Sequence, residues 1–367
     1  MSARARIDRS LALLLAILTI GGCVIFASAA FGLLARGSGS ITSVVINHLA
    51  LGIGMGLAAL LICARIDTRV WRRFAPHLFV LALVATSLVF IPHLGFEHGG
   101  GKRWLLIGGV TFQPSEALKI ASVIIASAYC ASMRDKIREM RWGLGGLLAI
   151  LAGPGIILLL QPDLGTLGVI VIAVVAVFFA AGIAWRDIIL SIGIGLLSIA
   201  LLAAFKPYVI DRVSIFLDPT RAPQAAGYQL RQSLIAIGSG GMFGRGLGQG
   251  VQKFTYLPEP MGDSIFAVAA EELGFIGSSS IVVVFLLFAL RGFSIGIRAS
   301  DQFSGLLAVG IASYLAAEAF INIGAMLGIV PLTGIPLTFV SQGGSAMFVS
   351  LASAGILLGV SRRSPAR

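Results

Sequence analysis

Long apolar runs separated by short polar breaks make up most of this chain. They fall at about 11–34, 44–65, 74–94, 115–133, 145–161, 164–183, 186–205, 263–291, 303–329 and 339–360. A membrane-crossing helix needs about 20 such residues, whereas a barrel strand needs only about ten. The pattern therefore predicts an all-α polytopic membrane protein with about ten transmembrane helices, forming one integral membrane domain over 1–367. One break is far longer than the rest, residues 206–262. Within it, Tyr228 to Ile237 places Leu230, Leu234 and Ile237 on one helical face, which predicts an amphipathic helix lying on the membrane surface. The first run follows a basic start and passes Ala27-Ser28-Ala29, as a signal peptide would. It continues to Leu34, beyond a typical signal core, and is expected to be an uncleaved first span.

Composition agrees with the pattern: 57 % of residues are hydrophobic and 12 % charged. The net charge of +11 does not point to nucleic acid, because the basic residues are spread over short loops. Their distribution sets the orientation instead. With the N-terminus in the cytoplasm, seventeen Lys and Arg lie inside, nine outside, and Lys119 lies within a span. Six of the nine belong to the 206–262 loop, and long loops obey the rule weakly. Both termini are expected to be cytoplasmic and the large loop extracytoplasmic. Cys23, Cys63 and Cys130 sit within apolar runs and read as small packing residues. The four histidines lack ligand spacing, so no metal site is expected.

Few places remain for chemistry. Asp263 stands where the polar loop becomes an apolar run, and a carboxylate at a membrane edge is costly to keep without a task. Glu116 and Lys119 are three apart in the fourth run, so they share a helix face and can pair, either as a structural pair or lining a polar cavity. Ser115 is placed to cap that helix and Asp163 the sixth. Glu271, Glu272 and Glu318 read as bundle-facing polar contacts. Residues 238–250 hold seven glycines in thirteen. They match neither a Walker loop nor a dinucleotide turn, which excludes nucleotide binding. They read either as a loop packed on the membrane or as a backbone cradle for a lipid headgroup. Lys102 and Arg103, with Arg212, Arg245 and Lys253 on the same side, would form an electropositive mouth for phosphates.

The chain resembles the SEDS family (shape, elongation, division and sporulation) from its first span to its last. The resemblance rests on Gly101-Lys102-Arg103-Trp104-Leu105, Phe112-Gln113-Pro114-Ser115-Glu116 and Leu160-Gln161-Pro162-Asp163-Leu164-Gly165-Thr166. It continues with Gly227-Tyr228-Gln229, Gln232 to Gly241, Tyr256-Leu257-Pro258-Glu259, Asp263 and Glu271-Glu272-Leu273-Gly274-Phe275. Asn322-Ile323-Gly324, Gly334-Ile335-Pro336-Leu337 and Phe339-Val340-Ser341 complete it. The wording around Glu259 and Glu272 is more similar to the division branch, FtsW, than to the elongation branch, RodA. Where the family usually has His-Thr-Asp-Phe, this chain has Met261-Gly262-Asp263-Ser264, and Thr338 replaces a usual proline.

The resemblance implies a ten-span glycosyltransferase that polymerises lipid II at the outer face of a bacterial cytoplasmic membrane. It implies Asp263 as the catalytic base. Substrate contacts are expected at Lys102, Arg103, Glu116, Lys119, Arg212, Gln232, Ser239, Arg245, Lys253 and Ser341. No cofactor is assigned with certainty, and a divalent cation such as Mg2+ or Mn2+ could accompany the pyrophosphate. Expected partners are lipid II, the nascent glycan strand, a class B penicillin-binding protein and other division proteins of the membrane. The competing readings are an elongation-type polymerase, a lipid II flippase, against which the lack of an inverted repeat counts, and a non-catalytic division scaffold.

Overall fold

The computed structural model describes residues 7–35, 47–98, 101–107, 110–205, 210, 214–218 and 226–363. All ten expected apolar ranges coincide with helices. These are α1 (Arg9–Ala35), a π-helix (Asn47–Gly54) running into α2 (Met55–Cys63), α3 (Thr68–Ser87), α4 (Pro114–Ser132), α5 (Leu144–Leu160) and α6 (Leu164–Ala180). After them come α7 (Trp185–Phe205), α8 (Ala226–Ser239), a short α9 (Gln252–Thr255), α10 (Ile265–Ile297), α11 (Gln302–Met326) and α12 (Gly344–Arg363). Among the described residues, six helices are long and apolar enough to cross a membrane. The apolar stretches His48–Cys63, Leu144–Leu160 and Leu164–Ala180 are shorter.

Local chemistry sets several boundaries away from the expected ones. The third span starts at Thr68 because Asp67 caps it, accepting from the Arg69 amide at 2.8 Å. Ser115 does not cap α4. Gln113 holds the cap position and Pro114 follows at the first helical residue, where a missing N–H costs nothing. Asp163 does cap α6, accepting from the Thr166 amide (3.2 Å) and hydroxyl (2.9 Å).

α11 is the centre of the bundle and packs against α4, α6, α10 and α12, while α7 is peripheral and largely exposed. The connections sort into two ends. At one, Asp8 pairs with Arg291 at 2.6 Å and Arg363 reaches Asp67 and the Ile66 carbonyl. At the other end lie the 161–163 turn, α8 and the loops before α10 and α12.

α10 is broken at Gly274, whose φ of 70° and ψ of −168° only glycine adopts without strain. The glycine-rich loop fills the break. Phe275 and Ile276 donate their amides to Gly241 O and Met242 O, and Arg245 and Gly246 donate theirs to Glu271 O and Glu272 O. A Cβ on Gly244 would sit 2.1 Å from Glu272 O, so the two backbones touch. Those glycines therefore serve helix-to-loop docking. The loop amides of Gly248, Val251 and Gln252 point at the carboxylates of Glu272 and Glu271. The backbone cradle anticipated for a lipid headgroup is thus occupied by the protein's own anions.

One further expectation changes. Segment 95–112, read as loop, forms a three-stranded antiparallel sheet: β1 (Gly95–His98), β2 (Gly101–Ile107) and β3 (Val110–Phe112). β3 is wholly β-branched or aromatic (Val110, Thr111, Phe112), and Trp104 and Ile107 add two such residues to β2. α8 (Ala226–Ser239) forms within the long loop, and Ile237 packs partly buried against the core. Leu230, Ser233 and Ala236 are its buried stripe against α10 and α11, while Leu234 is 43 % exposed. The small buried residues let α8 lie close to the bundle, and Ser233 Oγ reaches Met326 Sδ at 3.4 Å.

Candidate functional site at the head of α10

Asp263 lies on the turn that leads into α10, with Ser264 as the residue before the first helical turn. Three elements converge on it. From α8, Gln229 Nε2 donates to Asp263 Oδ1 at 3.0 Å and to Ser264 Oγ at 3.0 Å. From α11, Asn322 Nδ2 donates to the Asp263 carbonyl (2.8 Å) and to Ile335 O (2.7 Å). From the segment before α12, Ser341 Oγ donates to Gly262 O at 2.7 Å and Gln342 N donates to Met261 O at 2.7 Å.

The carboxylate is half-buried. Its pKa is pushed up from 3.8 to about 6, chiefly by burial. The Gln229 hydrogen bond works against that rise, and the nearby Glu259 charge adds to it. Glu259 sits on the same turn with φ of 43°.

One turn below Asn322 on α11, Glu318 meets Lys119 Nζ at 2.7 Å, and Glu116 approaches the same ammonium at 2.7 Å. The predicted pairing of Glu116 and Lys119 is present, with a third member. All three are at most 2 % exposed, so they do not line an open substrate cavity as expected. The space beside them is a void of about 10 Å3 between Glu318, Thr338, Ser341 and Ser350, room for about one water.

The electropositive mouth is largely taken apart. Lys253 is fully buried and bonds Glu272 (2.6 Å) and Ser28 (2.8 Å), tying α9 to α10 and α1. It cannot meet a substrate phosphate. Arg103 is turned into the protein, donating to Gln161 O and Pro162 O, with Asp163 at 4.0 Å. Alternation along β2 leaves Lys102 exposed. Arg245 remains 42 % exposed and lies 3.6 Å from Glu271. Arg212 lies outside the described residues. Ser239 bonds Ala236 O and Glu271, not Asp263, and Gln232 is half-buried on α8. The sheet still reaches the site indirectly, since Gln113 N donates to Ser345 Oγ at 3.3 Å at the start of α12. Ser341 is the expected contact that does stand beside Asp263. Gln229 and Asn322 had no role in the sequence reading, although both lie in the motifs that carry the resemblance. Glu259 was likewise unassigned.

The sequence profile described as "Cell cycle protein", covering FtsW, RodA and SpoVE, matches residues 8–365. The chain belongs to this FtsW/RodA/SpoVE family. Stage V sporulation protein E of Bacillus subtilis (strain 168) is 39 % identical over 311 residues, 85 % of each chain. A Geobacter sp. (strain M18) protein named "Probable peptidoglycan glycosyltransferase FtsW" is 39 % identical over 314 residues, 85 % of this chain and 83 % of its own. The solved rod shape determining protein RodA of Thermus thermophilus superposes with a TM-score of 0.70 at 26 % identity, covering 98 % of both chains. A chain from the structural coordination of polymerization and crosslinking by a peptidoglycan synthase complex gives 0.75 at 27 %, covering 97 % of this chain and 98 % of that one. As a member of this family, the chain is a polytopic membrane protein whose shared fold extends over nearly its whole length.

Proposed function

We propose that this protein is a peptidoglycan glycosyltransferase of the division type, polymerising lipid II at the outer face of the bacterial cytoplasmic membrane. The observation that carries the reading is Asp263: a half-buried carboxylate at one end of a membrane bundle, its pKa raised to about 6, in a chain whose relatives bear that enzyme name. A general base works best when its pKa lies near the working pH. Asp263 would take the proton of the acceptor's C4 hydroxyl as that oxygen attacks the anomeric carbon of a second lipid-linked disaccharide. The polyprenyl diphosphate leaves from the opposite face, and a single carboxylate suits direct inversion. Lys102, Arg245 and Arg212 are the cations proposed to meet the diphosphate. A divalent ion, Mg2+ or Mn2+, would arrive on that diphosphate as part of the substrate. Among the described residues no three His, Cys, Asp or Glu are grouped to hold one. The division assignment follows the FtsW-named relatives. The proposed partner is a cross-linking class B penicillin-binding protein, in keeping with the synthase-complex neighbour.

Purified protein given lipid II, with and without its cognate transpeptidase, should yield glycan polymer in at least one condition. No polymer in either, from protein that binds lipid II, would reject the reading. Orientation has its own test. In a background lacking Cys23, Cys63 and Cys130, a cysteine at exposed Phe243 should react with an impermeant thiol reagent on intact cells, and one at Arg298 only after lysis. The reverse order would invert the proposed topology.

A further inference from the structure

Among the described residues, one side chain, Gln229, hydrogen-bonds the Asp263 carboxylate, and the backbone amides of Asp263 and Ser264 add to its hold. The Gln229 amide nitrogen carries two hydrogens, and its two acceptors, Asp263 Oδ1 and Ser264 Oγ, both lie at 3.0 Å. The opposite amide orientation would aim a carbonyl oxygen at a carboxylate, two acceptors face to face, so only this one is consistent with an ionised Asp263. The backbone at 263 is fixed separately, by Asn322 of α11. The side-chain contacts to the main chain and to the carboxylate thus come from two different helices. The second oxygen, Oδ2, points toward Gly334, where even an added Cβ would stand 4.0 Å away. Gly334 has φ of 69°, so the position favours glycine and leaves that approach open.

Resting on the glycosyltransferase reading above, we infer that Gln229 is the positioning residue of the reaction: it fixes Oδ1 and so presents Oδ2, on the Gly334 side, as the oxygen that takes the acceptor's proton. In that step the acceptor O4–H bond breaks and its proton passes to Oδ2. The O4 electron pair forms the new bond to the anomeric carbon. The bond from that carbon to the diphosphate oxygen breaks with its pair on the leaving group, and Asp263 later releases the proton to solvent.

The charged surroundings allow a sharp test. Glu259, on the same turn, opposes ionisation of Asp263. On α8, Arg231 is two positions beyond Gln229 and half-buried. On α11, Glu318 lies one turn below Asn322 and is engaged by Lys119. The contacts from the 334–342 segment, Ser341 and Gln342, are neutral. Gln229 is therefore the side chain whose loss should most directly raise the pH at which the base ionises.

The experiment is the pH dependence of polymerisation by Gln229→Leu and Gln229→Asn beside wild type, with lipid II as substrate. Wild type should lose activity below about pH 6, tenfold per unit. Both variants should move that acid limb upward by about one to two units, the worth of a hydrogen bond to a charged group. At pH 7 kcat should fall about two- to tenfold while KM for lipid II stays within about twofold, because an interaction at the reacting proton is being removed. The Asn variant keeps polarity but falls one methylene short of Oδ1, and it provides the reading if the Leu variant does not fold. An unmoved acid limb, whether the rate is normal or lowered equally at every pH, would overturn the inference. Asp263→Asn run in parallel separates the two claims: normal polymer from that protein would remove the underlying reaction, not merely the role of Gln229.

Discussion

Asp263→Asn should give a protein that inserts, folds and binds lipid II, yet makes almost no glycan. Asn has nearly the same shape. Its side-chain carbonyl can still accept from Gln229, and the backbone contacts from Asn322 and Ser341 do not involve the side chain at all. What is lost is an oxygen able to take a proton, and base assistance is typically worth about 10²–10⁴-fold. Stability should move the other way. The folded state raises this carboxylate from 3.8 to about 6, so it favours the neutral form. Removing the charge should therefore stabilise the protein fully above pH 6, with the gain fading between 6 and 3.8 and absent below. A variant that melts no earlier than wild type at pH 7 while its polymer output collapses is the expected result. Undiminished polymerisation would end the mechanism. A flippase would keep lipid transport with this change, and a scaffold would keep partner binding.

Lys119→Met should be strongly destabilising to the bundle interior. It leaves Glu116 and Glu318 facing each other with no ammonium between them, both at most 2 % exposed. Breaking a buried ion pair costs about 3–5 kcal/mol, because the stranded charge has no water to turn to. The apparent melting temperature in detergent should drop steeply, and adding Glu318→Gln to Lys119→Met should restore part of it. A single variant that melts with wild type would show that the triad is not what holds α4 to α11.

The helices were legible because a membrane permits few alternatives. A backbone in lipid must satisfy its own hydrogen bonds, so about 20 apolar residues in a row leave little choice but helix. Glu116 and Lys119 were legible for the same local reason, three residues on one helix face. Glu318, the third member, is 199 residues from Lys119, and no local pattern links them. Lys253 shows the limit most clearly. In the sequence it is one more cation of a polar loop. Its burial depends on Glu272 and on Ser28, 225 residues away. The glycines were read as openings for a ligand because spacing alone cannot say what will approach them, and here it was a broken helix. The sheet was missed because its strands are as short as three residues and interrupted by glycine. At the site, Asp263 stood out as a charge at an apolar boundary, whereas Gln229 and Asn322 are neutral and gave no such signal.

The break at Gly274 has a consequence for how the chain is made. Residues 240–253 leave the ribosome before the stretch 271–276 that they close upon. The loop must therefore wait with its amides hydrated, since their acceptors have not yet been translated. Glu271 and Glu272 then emerge as two adjacent carboxylates at the head of a 33-residue helix. They can settle there only as Lys253 and the waiting amides fold back to meet them. Sealing of the glycine-rich loop is thus a late event in biogenesis, timed by the synthesis of α10.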